Sequence, residues 1–249
     1  MNDELRKEDE RESSSAPNRA PSTPPSARRL WPVAVAFVLV AAGYAWAFQM
    51  SIAGTPEFLW RFALPHALLT VLAIREFSRD GVLVELLKPR WGDLSMGAIA
   101  ALLLLAASWA ARSTLAPSGS ERQQWLLILY VELGDPEQIQ RSIVLSALLL
   151  GITVAEELVW RGLVTQRLTE HFGARRGWLL AVALYSLAAL PTAYTLRAPA
   201  GLNPLLVLAT LGCGIVWTFL ALRAGRLVPG IFSHMAFTYF SVVQFRIPT

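Results

Sequence analysis

Residues 142–162 read SIVLSALLLGITVAEELVWRG. The first fourteen carry no charge; then two glutamates stand side by side, and an arginine follows four residues after the second. An apolar run of about 20 residues is long enough to cross the hydrocarbon core of a bilayer. An ionisable side chain at the centre of such a run costs about 2.5–3.5 kcal/mol on insertion scales, so its presence points to function. This stretch therefore speaks to both fold and chemistry.

Six further runs resemble it. The seven together are Leu30–Met50, Phe58–Ile74, Gly92–Leu115, Ser142–Trp160, Gly177–Leu196, Pro204–Leu222 and Val228–Phe245. The second is short and contains Pro65. An eighth, residues 124–131 (QWLLILYV), is too short to span and reads as interfacial, with Trp125 and Tyr130 at headgroup level. The expected fold is all-α, a polytopic bundle of about seven transmembrane helices.

Composition supports this. Of 249 residues, 54% are hydrophobic and 16% charged, against about 25% charged in ordinary soluble domains. A water-soluble domain, a disulfide scaffold and a wholly disordered chain do not fit. Residues 1–29 differ from the rest: six basic and six acidic side chains, four prolines and many serines. They read as a disordered cytoplasmic tail. Residues 30–140 read as N-terminal membrane helices and 141–249 as a second set of membrane helices, the one that holds the paired glutamates. The net charge of +4 sits in short loops, which indicates membrane topology and no nucleic-acid partner. With the N-terminus in the cytoplasm, inside segments carry Arg28, Arg29, Arg75, Arg79, Lys88, Arg90, Arg161, Arg167, Arg175, Arg176, Arg223 and Arg226. Outside segments carry Arg112, Arg122, Arg141, Arg197 and Arg246. The single cysteine, Cys213, lies between two glycines and reads as close helix packing.

Helical periodicity separates the two glutamates. Glu157 and Arg161 are four apart and share a face. Glu156 points about 140° away from Arg161 by the 3.6-residue period and needs another partner. Different environments for two adjacent carboxylates are what a general base requires. His234 lies eight residues after Arg226, and Glu156 five before Arg161, so both reach a similar depth from one side. Thr238 is one turn beyond His234 on the same face. His66, in the second run, reads as a structural or substrate-gating residue. On spacing alone, the two glutamates fit a helix end at headgroup level equally well.

Glu156-Glu157-Leu158-Val159-Trp160-Arg161 resembles the EExxxR signature of the CAAX prenyl protease and bacteriocin-processing family of glutamic intramembrane proteases. The late helix bearing His234, after a basic turn and Pro229-Gly230, is similar too. The resemblance covers about residues 140–245. It implies a hydrolase in which Glu156 activates water and Glu157, Arg161 and His234 complete the site. One histidine and two glutamates without metal-binding spacing make a thin ligand set, so no metal is expected, and no cofactor. Two positions depart. The family's FxxxH motif meets Tyr185 to Ala189 here, and Thr238 stands where asparagine or aspartate is usual. Thr238 is taken to assist His234. Tyr185 and His66 are assigned to substrate contact, and either could supply the missing hydrogen bond. The departures resemble a divergent, myxosortase-like branch, whose implied substrates are C-terminal sorting tails. The expected partners are a membrane-anchored protein or peptide and the lipid bilayer; the expected place is a bacterial cytoplasmic membrane. Two other classes stay open: an inactive binding or scaffold protein of the same descent, and a proton-coupled transporter using Glu156 and His234.

Overall fold

The structure is a computed structural model; it describes residues 30–197 and 199–244. The tail 1–29, with Arg28 and Arg29, and Arg246 lie outside the described residues. Eight main helices form the bundle, and no strand occurs among the described residues. In chain order these are α1 (Trp31–Ala47), α2 (Glu57–Asp80), α3 (Asp93–Leu115), α4 (Gln123–Leu133), α5 (Ile143–Phe172), α6 (Ala174–Thr195), α7 (Leu205–Ala224) and α8 (Val228–Tyr239). Short helices at Leu83–Leu87 and Pro136–Arg141 fill two loops.

Five of these, α2, α3, α5, α6 and α7, are long and apolar enough to cross a membrane. α1 has 17 residues and α8 has 12, continued by a π-helical turn at Phe240–Gln244. Against the expectation of about seven spans, five helices are long enough to cross, and the first and last runs form the shorter α1 and α8. Side chains such as Val38, Leu68, Val71, Leu102, Leu103 and Phe219 are exposed around the outside. So much exposed apolar surface needs lipid to cover it.

The expected end of the fourth run at Trp160 is corrected. α5 continues through a π-helical stretch, Glu157–Val164, to Phe172. Wider turns leave the Trp160 carbonyl to accept from Thr165, five residues on, through both its backbone N–H and its Oγ1–H at 2.7 Å. π-Turns of this kind mark functional sites. The two glutamates therefore lie mid-helix, roughly 20 Å from either end at 1.5 Å per residue. Arg161 belongs to the interior as well and leaves the set of inside-loop cations.

α3 and α8 run parallel. Arg226 Nε reaches both Asp93 oxygens at 2.9 and 3.0 Å, and Gly97 lies against Pro229 and Phe232. At the same end Arg167 ties α5 to α2 through Glu76 at 2.8 Å and Asp80 at 3.0 Å. These pairs hold the helix register at one membrane surface.

α4 sits at the opposite end. Its ends extend slightly beyond the run read from sequence, and its aromatic residues are not free at the surface. Tyr130 is buried and accepts from Arg112 at 2.9 Å; Trp125 Nε1 donates to the Ala200 carbonyl. Glu132, in the same helix, is fully buried, and neither carboxylate oxygen has a hydrogen-bond partner among the described residues. Burial pushes its carboxyl up to about 7, from an ordinary 4.5. The unfolded chain then loses this proton first as pH rises, so stability is highest below the unfolded value and falls until the folded value is passed. Glu132→Gln is expected to remove that slope and raise the melting midpoint by several degrees at pH 8. A wild-type melting curve that is flat across pH 4.5–7 would contradict this.

Candidate active site

Three helices bring the site together. α5 supplies Glu156, Glu157 and Arg161; α8 supplies His234; α2 supplies His66. All five side chains are buried. Local sequence explains their placement. Pro65 cannot donate a backbone hydrogen bond within α2, and Gly43 of α1 lies so close to it that an added Cβ would meet Pro65 Cγ at 2.7 Å. That close approach lies one residue from His66. On α8, an added Cβ at Gly230 would meet Glu157 Oε2 at 2.9 Å. The missing side chain gives the Glu157 carboxylate its room.

His234 bridges the two glutamates. Its Nδ1 lies 2.9 Å from Glu157 Oε1, and its Nε2 lies 3.3 Å from Glu156 Oε2. The expectation that the carboxylates look in different directions is corrected in one respect. They do have different neighbours, yet one imidazole with nitrogens on two edges reaches both. Arg161 Nη1 stands 3.3 Å from Glu157 Oε1, the i,i+4 contact read from sequence. The guanidinium lies over the Tyr185 ring at 4.2 Å and near Trp217 at 5.2 Å. Trp217 in turn stacks on His234 with ring centres 3.6 Å apart, and its indole N–H donates to Ser233 Oγ at 3.2 Å. Aromatic faces attract a desolvated cation, so Arg161 keeps its charge beside Glu157 in an apolar interior.

His66 is the residue whose position sequence reading left open. Its Nδ1 is 2.8 Å from the Phe62 carbonyl, and its Nε2 faces Glu156 Oε1 at 3.6 Å. A carbonyl only accepts, so Nδ1 carries a proton and donates to it, and Nε2 is the ring nitrogen turned to Glu156. The signal was present in the sequence: Phe62-Ala63-Leu64-Pro65-His66 has FxxxH spacing itself, on an earlier helix. The two rings lie 4.6 Å apart. Ala189, where the resemblance expects histidine, is fully buried beside Leu190-Pro191, where α6 bends.

Tyr185 packs between Arg161 and Trp160 and lies outside the lining of the site's cavity. Its place supports Arg161, which differs from the substrate contact expected of it. Thr238 does line that cavity, with Glu156, Thr153 and Ser241, and makes no hydrogen bond to His234 among the described residues. No group of three His, Cys, Asp or Glu among the described residues is arranged to hold a metal ion.

Glycine at 230 is testable. Gly230→Ala is expected to push Glu157 away from His234 and lower activity by about tenfold, alongside the 1–3 kcal/mol typical of overpacking. Cleavage rate and melting midpoint, measured on one preparation, check both halves.

Comparison with known proteins agrees with the geometry. Residues 138–240 match the family model described as Rce1-like, the type II CAAX prenyl endopeptidases. Neither curated proteins nor solved structures yield a match. The match takes in Glu156, Glu157, Arg161 and His234 and leaves His66 outside it. The paired glutamates, their arginine and the late histidine all lie inside the segment 138–240 that is similar to the CAAX prenyl endopeptidases.

Proposed function

We propose that the protein is an intramembrane glutamic endopeptidase that hydrolyses a peptide bond in a membrane-anchored substrate. The observation that carries this is the Glu156 carboxylate standing between two imidazole Nε2 atoms, one per oxygen. Glu156 Oε1 and His66 Nε2 stand 3.6 Å apart, beyond a direct hydrogen bond, and neither has a hydrogen-bond partner among the described residues. A water molecule donating one proton to each meets that need, and its lone pair is then left for a carbonyl carbon.

Glu156 takes the first proton as the water oxygen attacks, and returns it to the leaving amide nitrogen. The second proton stays directed at a histidine Nε2, which orients the water. Glu157 accepts from His234 Nδ1–H and so fixes that ring and its tautomer, as a carboxylate does for a catalytic imidazole. Arg161 balances Glu157 and thereby reserves proton transfer for Glu156. Thr238, in the cavity wall, is the hydroxyl donor assigned to the carbonyl oxygen. Burial strengthens each of these electrostatic contacts.

The test compares membrane proteomes of cells making the native protein or Glu156→Gln, by sequencing fragment ends. A class of membrane-anchored proteins that stays uncut in the mutant is the expected result. Unchanged fragment ends with a stably made mutant would establish instead a non-catalytic, substrate-binding descendant, the reading that Ala189 favours.

A further inference from the structure

The cavity that ends on Glu156 lies on one side of it only. Its volume is about 410 Å³, within the usual range for ligand pockets. From α3 it takes Leu104 to Leu115, from α7 Leu205 to Cys213, and from α8 Phe237 to Val242. From α5 it takes only Leu149 to Glu156, nothing beyond. Every lining residue thus belongs to the half of the bundle capped by α4. The opposite half, where Arg167 and Arg226 tie the helices together, contributes none.

Register gives the depth. Gly97 is level with Pro229 to Phe232, so Arg112 stands roughly 17 Å further along the α3 axis than the His234 level, at 1.5 Å per residue. The cavity therefore runs from mid-membrane to the α4 surface. Its wall is open to the bilayer between α3 and α7, since Ala107, Leu208, Ala209 and Gly212 line it and are exposed as well.

Charge tells the two surfaces apart. Nine lysines and arginines lie in segments 75–92, 165–176 and 223–226; five lie in 48–61, 112–141 and 196–204 at the α4 end. The basic surface is the cytoplasmic one. We infer that the substrate is an apolar, membrane-embedded segment presented to Glu156 from the non-cytoplasmic half of the bilayer, and that peptides offered from the cytoplasm do not reach the site. This rests on the endopeptidase reading for the word substrate; the sidedness of the cavity does not.

Cysteine accessibility tests it without using activity. In a Cys213→Ala background, Ser108→Cys places one thiol in the cavity wall and Leu133→Cys a second near its mouth. Ser78→Cys places a control thiol at an exposed position near the C-terminal end of α2, at the other surface. Intact cells receive a charged, membrane-impermeant methanethiosulfonate, which reacts with the thiolate and so reports water. We expect Ser108→Cys and Leu133→Cys to be labelled in intact cells to the extent seen after permeabilisation, and Ser78→Cys only after permeabilisation. The reverse pattern would place the cavity on the cytoplasmic side and overturn the inference. Cavity thiols that stay unlabelled after permeabilisation, on a protein that melts normally, would overturn it too by showing no water path. The Glu156→Gln comparison decides the protease reading separately, so each can fail alone.

Discussion

Glu156→Gln is expected to reduce cleavage by a factor of about 10² to 10⁴, the contribution of a positioned general base, while the protein stays folded. Glutamine has the same shape and keeps one oxygen, so the packing around α5 is preserved. Its amide nitrogen can donate to His66 Nε2 or His234 Nε2, both of which present acceptors to this position when neutral. The buried charge disappears and nothing is left unpartnered that was satisfied before. An unchanged or raised melting midpoint should therefore accompany the loss of activity, the trade expected where a site is built at a cost in stability. Activity within about threefold of wild type would be too small a loss for a general base and would remove Glu156 from the chemistry. Glu157→Gln is the informative neighbour. It leaves Arg161 buried without its anion and weakens the hold on His234, so it should lower stability and activity together.

His66→Ala is expected to lower kcat by about ten- to a hundredfold, with KM changed little. The reasoning is geometric. Nε2 faces the Glu156 oxygen that His234 does not, so in the proposed mechanism its loss removes one of the two groups that orient the water. A gating role would act on entry and appear in KM, whereas a role in orienting water appears in kcat. Truncation also opens a small void in a fully buried place, with a stability cost of a few kcal/mol, so rates must be expressed per folded molecule. His66→Gln supplies an acceptor oxygen at similar reach and should recover part of the rate. A change confined to KM, with no recovery by glutamine, would return His66 to a gating role.

Much of the fold was legible in the sequence because lipid imposes a simple rule. Every span must be apolar along its length, and all seven runs appear as helices. The Glu157–Arg161 pair was legible because it is local, one turn apart on one helix. His234 could be counted from the basic turn at Arg226, whereas Glu156 was counted from Arg161, which lies in the interior, so their meeting had to come from the packing of α5 on α8. What failed was counted with the wrong ruler. α5 widens into a π-helix, which no propensity in AEELVWRG announces, so the helix end was placed too early and Arg161 too near the surface.

The sequence by itself determined a helical membrane bundle, the two glutamates, their arginine and a histidine at the same depth. Those follow from apolar length and from contacts between near neighbours. Only the tertiary structure decided that His66 faces Glu156, that Tyr185 lies against Arg161, and that the cavity lies on one side of Glu156. His66 and Glu156 are 90 positions apart, and no periodicity within either helix states how the two are rotated about their axes. That rotation is set by close approaches such as Gly43 on Pro65, where the absence of one side chain lets two helices meet.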